Sequence, residues 1–295
     1  MRWNLVGAFV RNNPFGTEIA FRKGLERIGE TVHVLDPSIH GQVYDMDADV
    51  TVVFKYLETG IYREMLRQVG GKKIIYQVDD LRFPHIKQMM VEMRQLCSHA
   101  LTFDTSGAGL ARDYGYKSAQ RLLLTADNQL YRHIPGMQKD IDVCFIGSMT
   151  NGQNHTSRMK MVQMVSQMPQ IKFVKANEIF DIGKICELYN RSKVILNHAT
   201  DVGQPFGTGY GYQCRHFEAG FTKSVVLSNK IVNDTTLQFI PQFSDEESFV
   251  EYLNRLLQDK ELRTFVSEKF YEELYSAHLP EHRAKEMVEF VEKIK

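Results

Sequence analysis

Short apolar runs alternate with longer amphipathic stretches along almost the whole chain. The short runs, rich in β-branched residues, read as buried strands, and stretches with apolar residues three and four apart read as helices. In the first half, strands are expected over residues 5–10, 31–35, 50–55, 73–78 and 100–103. Helices are expected over 17–28, 60–68, 85–97 and 106–114, with Thr17 placed to cap the first. A polar stretch at 130–140, containing Pro135 and Gly136, reads as a linker. A second series follows, with strands over 142–146, 171–175, 193–197, 224–227 and 237–240. Its helices are expected over 157–167, 182–191, 244–257, 261–275 and 281–294. Strands alternating with helices imply a parallel, doubly wound α/β sheet, here twice, with ligands at the carboxyl ends of the strands and a cleft between two domains.

Composition adds bounds rather than a function. The 295 residues carry 36 Lys and Arg against 36 Asp and Glu, so the chain as a whole demands no polyanionic partner. Residues 1–139 hold 18 basic and 15 acidic residues, a slight excess that a mixed surface explains as well as a ligand does. Cys97, Cys144, Cys186 and Cys214 show no paired spacing and read as the reduced thiols of a cytoplasmic protein. The apolar run before Arg11 is too short for a signal peptide, and no window reaches the length of a membrane span. The histidines show no zinc spacing. Met159, Met161, Met164 and Met168 stand at helical spacing and read as core.

The chemistry concentrates in residues 196–226. Gly203, Gly207, Gly209 and Gly211 allow backbone to approach a ligand closely, and Cys214-Arg215-His216-Phe217-Glu218 then opens a helix. A glycine loop running into a helix start gathers unpaired N–H groups at the positive end of the dipole, which is an anion site. Arg215 is placed to give a forked donor to a phosphate, and Glu218, one turn later, to accept from ribose hydroxyls. With Gly209, Tyr210, Gly211 and Tyr212 on the loop, the pattern suits a nucleoside diphosphate. Glycines alone fit an ordinary surface connection equally well.

The residues Phe145-Ile146-Gly147-Ser148, Arg158, Tyr189-Asn190-Arg191-Ser192-Lys193 and Arg215-His216-Phe217-Glu218-Ala219 carry a resemblance. In that order the chain resembles the GT-B glycosyltransferases, and most closely the spore-maturation CgeB-like branch of the group-one, GT4-like family. The resemblance covers most of the chain and is most specific over residues 141–226. It implies two Rossmann-like domains facing across a cleft: an acceptor domain at 1–139, a nucleotide-sugar donor domain at 140–278, and a C-terminal helix at 279–295 crossing back to the first. It implies that Glu218 holds the donor ribose, that Arg215 lies near the diphosphate, and that Gly147 and Ser148 lie close to the transferred sugar or its phosphates. Asn12, Asn13 and Gly16 fall where such enzymes approach the acceptor and the donor phosphate, although a simple turn also fits. Tyr210 stands where many relatives carry a second glutamate, so the sugar contact falls to Tyr210 or nearby backbone, and the stereochemistry stays open.

Other candidates follow from strand ends. Asp79 and Asp80 close a strand, where one of them would serve as a general base toward an acceptor hydroxyl; capping the loop or pairing with Arg82 is the alternative. Asp104 follows another strand end and would line the acceptor side. Arg158 would reach the diphosphate, unless it is an ordinary exposed helix arginine. His198 is the better ligand candidate of the two neighbouring histidines, with His216 read as packing. No metal or other cofactor is expected, because Arg215, Arg158 and a helix N-terminus suffice for the diphosphate.

The expected activity is transfer of a sugar from a nucleoside-diphosphate donor, a UDP-sugar, to a hydroxyl. A hydroxymethylated base in viral, bacteriophage-type double-stranded DNA is one acceptor the size permits, with Arg63, Arg67, Lys72, Lys73, Arg82 and Lys87 facing the phosphates. Polysaccharide and small-molecule acceptors, a non-catalytic nucleotide-sugar binder and a sugar-phosphate epimerase are the rivals.

Overall fold

The computed structural model of the protein describes residues 1–9, 16–36, 38–39, 45–55, 60–148, 156–177, 179, 181–199 and 206–294, apart from the side chains of residues 60–62 and 65. Two units result, one of Met1–Asp127 with Leu279–Lys295 and one of Asn128–His278.

In the first unit, β1 (Arg2–Val6), β2 (Thr31–Leu35), β3 (Val50–Phe54), β4 (Lys72–Gln77), β5 (His99–Thr102) and β6 (Ser118–Arg121) form one sheet in the order β2-β1-β3-β4-β5-β6. Every pairing is parallel. The connections are α1 (Thr17–Arg27), α2 (Gly60–Gln68), α3 (Pro84–Met93) and α4 (Gly107–Asp113). Apolar residues three and four apart put Ile86, Met89, Met90 and Met93 of α3 on one face, where they pack with Val53 and Ile75 of the sheet. The last helix, α10 (Pro280–Lys293), belongs to this unit and packs along α1. The approach is close at Gly24, where a Cβ would lie 2.3 Å from the Pro280 carbonyl oxygen.

Three local expectations change. The first strand lies at residues 2–6 rather than 5–10, because Trp3 and Leu5 are buried and the ladder with β2 runs from Arg2–Thr31 to Val6–Leu35. Thr17 is the first helical residue; the cap is Gly16, whose carbonyl accepts from the Ile19 and Ala20 amides. The edge strand β6 has a half-buried, largely polar sequence and gave no apolar signal.

The second unit repeats the plan. β7 (Ile141–Ile146), β8 (Phe173–Ala176), β9 (Ser192–Asn197), β10 (Thr208–Gly209) and β11 (Val225–Ile231) lie in the order β10-β11-β9-β7-β8, and β12 (Gln242–Phe243) also pairs with β11. Around them stand α5 (Thr156–Ser166), α6 (Ile182–Arg191), α7 (Cys214–Phe221), α8 (Glu246–Gln258) and α9 (Lys260–Ala277). Phe145, Val194, Leu227, Phe243 and Phe249 share the core with Met161, and Met164 and Met168 pack against it. The strand expected at 237–240 is instead a buried apolar segment outside the ladder, which forms at Ser228–Gln242 and Asn229–Phe243.

The polar stretch at 130–140 is built into this second unit, so the division falls after Asp127. Tyr131 is buried, the Ile134 amide donates to Asn190 Oδ1 at 2.8 Å, and Lys139 Nζ donates to the Ser192 carbonyl at 2.9 Å. All four cysteines are free thiols, Cys214 alone being partly exposed. Among the described residues no helix is long and apolar enough to cross a membrane.

Candidate functional site

The strand order of the second sheet reverses between β7 and β9, the place where open parallel sheets bind ligands at their carboxyl ends. β7 is followed by Gly147 and Ser148, and β9 ends in Asn197 and is followed by His198. Two guanidinium groups arrive there from different helices. Arg215, on the first turn of α7, lies over the Phe145 ring at 5.0 Å and donates from Nη1 to Asn197 Oδ1 at 2.9 Å. Arg158, on α5, donates to the Ser148 carbonyl at 3.3 Å and to the His198 carbonyl at 3.1 Å. Gly147 makes room for this: a Cβ there would lie 2.4 Å from Arg215 Nη2.

The start of α7 is held from inside. The Gln213 amide donates to His216 Nδ1 at 2.9 Å, and Nε2 of the same ring faces Ser228 Oγ at 3.0 Å and Asn197 Nδ2 at 3.2 Å. Burial lowers the His216 imidazole to about 3, and it stays neutral. His216 is thus packing, as read from sequence, and its ring also caps the start of α7. His198 is also fully buried, its ring near Phe206 and Phe243, and its carbonyl accepts from Arg158.

Glu218 lies one turn after Arg215 on α7 and is half-buried. Its Oε2 accepts from the Tyr189 hydroxyl at 3.1 Å, and Tyr131 donates to the same carboxyl. Burial raises the carboxyl above its ordinary value, while the Arg215 charge and the two hydroxyls pull the other way. Tyr131 and Tyr189 were not anticipated as site residues, although Tyr189 stood in one of the quoted motifs.

The glycine loop divides in two. Gly203 lies outside the described residues. Gly207, at φ +91°, packs against Ser244 so tightly that a Cβ would meet its carbonyl carbon at 2.2 Å. A Cβ on Gly209 would lie 2.5 Å from Asn229 Nδ2. Gly209 therefore seats β10 beside β11 and Gly207 seats the residue before β10 against the segment after β12, packing roles beside any ligand role. Tyr210 is half-buried and Gly211 has φ +67°. Tyr212 is fully buried, and its hydroxyl donates to the Asp234 carbonyl at 3.1 Å, so its side chain is core rather than donor-facing.

In the first unit, Asn12 and Asn13 lie outside the described residues, and Gly16 caps α1 through its carbonyl. Asp79 and Asp80 follow β4 but differ. Asp80 is buried and accepts from the Arg82 amide at 2.9 Å and from Arg82 Nη2 at 2.7 Å; burial raises its carboxyl against the pull of Arg82. Asp79 is only half-buried, with Lys55 Nζ 3.6 Å away. Asp104 is buried and accepts from the Ser106 and Gly107 amides at 2.9 and 2.8 Å, so it caps α4 rather than facing an acceptor. Asp79 is the strand-end carboxylate of the three that remains open to solvent.

The expected basic patch is not one. Lys72 Nζ donates to the Val291 and Ile294 carbonyls at 2.9 and 2.7 Å, closing α10, and Lys73 Nζ donates to the Leu66 carbonyl. Both begin β4, at the end of the sheet opposite Asp79. Arg63 pairs with Glu92, Arg67 with Glu64 and Arg82 with Asp80, and Lys87 lies over the Tyr114 ring at 5.7 Å. Among the described residues, no group of three or more His, Cys, Asp or Glu is placed to hold a metal ion.

Comparison with known proteins accords with this geometry. Residues 149–289, which span most of the second unit and the first part of α10, match the family model described as Glycosyl transferase-like. No curated protein sequence matches. Among solved structures, the chain is similar to an alpha-glucosyltransferase in complex with UDP and a 13-mer DNA containing an HMU base (14% identity, 99% of this chain and 100% of that one, TM-score 0.71). It is similar to HepE from Anabaena in complex with UDP-glucose (10%, 100% and 100%, 0.64) and to sucrose-phosphate synthase from Thermosynechococcus elongatus (9%, 99% and 98%, 0.69). The two Rossmann-like parallel sheets with flanking helices are those of the GT-B glycosyltransferase fold.

Proposed function

We infer that this chain is a glycosyltransferase that binds a UDP-sugar on its second unit and transfers the sugar to a hydroxyl. The observation that carries the reading is the convergence of Arg158 and Arg215 at the carboxyl ends of β7 and β9, with Glu218 one helical turn away. Two guanidinium groups suit the leaving diphosphate, whose charge grows as the bond from the sugar C1 to phosphate oxygen breaks. A carboxylate positioned by two tyrosines suits the ribose hydroxyls. The acceptor oxygen bonds to C1 and gives up its proton, for which we propose Asp79 as the base, because Asp80 and Asp104 are already held by Arg82 and by backbone amides. Charge neutralisation by these side chains needs no metal.

For the acceptor, we propose a hydroxymethylated base in duplex DNA. Its support is the likeness, over 99% of the chain, to the alpha-glucosyltransferase solved with DNA. The Arg215–Ala219 segment and the tail that returns α10 to the first unit support placement near the CgeB-like branch. Incubation with a panel of UDP-sugars and duplexes with or without hydroxymethylated bases, read by mass spectrometry, tests both levels. Transfer of one hexose per modified base is expected. Release of free sugar without transfer to DNA would keep the enzyme and remove the DNA acceptor, and no turnover of any donor would leave a nucleotide-sugar binder.

A further inference from the structure

At the amino end of the second sheet, one strand length or about 20 Å from Arg215, five cations surround a hollow of about 410 Å³: Lys139, Lys193, Lys223, Lys260 and Arg263. Thr264 and Ser267 of α9 add hydroxyls to its wall. The sequence explains the meeting. Lys139 precedes β7, Lys193 sits at the start of β9, Lys223 precedes β11, and Lys260 and Arg263 occupy the first turn of α9.

Several of these cations are fixed in place by the fold. Lys139 Nζ donates to the Ser192 carbonyl at 2.9 Å and to Ser224 Oγ at 3.1 Å, and Arg263 Nη1 donates to the Leu256 and Leu257 carbonyls at 2.7 and 2.8 Å. Lys223 lies over the Tyr271 ring at 4.8 Å. Asp142, paired with Lys193 at 2.6 Å, and Asp259 near Arg263 offset only part of the charge. Burial and the facing Arg263 charge lower the Lys139 ammonium to about 8. Holding like charges around one concavity costs energy that a bound anion returns.

We propose that this hollow binds a small oligophosphate, an anion of two or more linked phosphate groups, at a site separate from the sugar-donor site. The cations converge from three strand starts and one helix on a single concavity. That arrangement matches a compact polyanion, whereas a nucleic-acid backbone spaces its phosphates along a line.

The test is calorimetric titration of the whole chain with inorganic tripolyphosphate, comparing the parent with a Lys223→Gln/Lys260→Gln double variant and with Arg215→Ala. The double variant leaves the carbonyl contacts of Lys139 and Arg263 intact, and its melting temperature checks the fold. The expected result is saturable binding to the parent, weakened about tenfold or more in the double variant, the scale of losing charge-assisted contacts. Arg215→Ala should retain it. Absence of binding, equal binding by the folded double variant, or its loss in Arg215→Ala would each overturn the proposal. Displacement of tripolyphosphate by unmodified duplex DNA at matched phosphate concentration would overturn the choice of a small anion.

Discussion

Arg215 is held by the Phe145 ring beneath it and by Asn197 at its edge, so its planar fork is oriented before any ligand arrives. A lysine cannot satisfy both contacts. Arg215→Lys should weaken UDP binding by about 1.5 to 3 kcal/mol, the range for a hydrogen bond to a charged group, with melting nearly unchanged; parental affinity by calorimetry would remove the forked contact. Tyr189→Phe removes one of two hydroxyls from Glu218 and should cost less, about 0.5 to 1.5 kcal/mol of UDP affinity. Glu218 also makes a pH prediction. Its folded carboxyl is raised, so the associated stability is fully present below its unfolded value and is lost as pH rises through the folded one. The melting temperature of Glu218→Gln minus that of the parent should therefore be more positive at neutral pH than in acid, and a pH-independent difference would contradict the burial effect. Arg215 and Glu218 were legible in the sequence because residue type and helical spacing suffice to place them. Tyr189, 29 residues before Glu218, becomes its partner only through the packing of α6 beside α7.

Among the elements, most helices and central strands were legible because their apolar faces are strong, whereas β6, β10 and β12 were not. Two of those three are two-residue strands, and the third is a polar edge. Asp80 and Asp104 misled for a related reason, since a carboxylate after a strand has the same local sequence whether it caps a turn or meets a ligand. The packing of α10 on α1 makes a sharp prediction at Gly24, where any side chain meets the Pro280 carbonyl. Gly24→Ala should destabilise by about 1 to 3 kcal/mol, the usual cost of overpacking, as read by urea unfolding; a stability equal to the parent's would show that α10 shifts freely. Lys72→Ala should likewise lower the melting temperature by releasing the end of α10, while leaving the salt dependence of duplex binding unaltered. A reduced salt slope in that variant would restore Lys72 to the acceptor surface.

For the whole molecule, the doubly wound plan and its repetition were legible from alternation alone. The acceptor was not, because neither net charge nor a basic run marks it. What the fold adds is position: the two arginines and Glu218 of the second unit come from α5 and α7, separated in sequence, and meet where the strand order reverses. The central claim is that this place binds the nucleotide part of a sugar donor. Titration of the protein with UDP, beside Glu218→Ala and Arg158→Ala, tests it most directly. The account predicts one UDP per chain, weakened by about 1.5 to 3 kcal/mol in each variant with melting preserved. Failure of UDP to bind the parent, or binding that both folded variants retain in full, would contradict it.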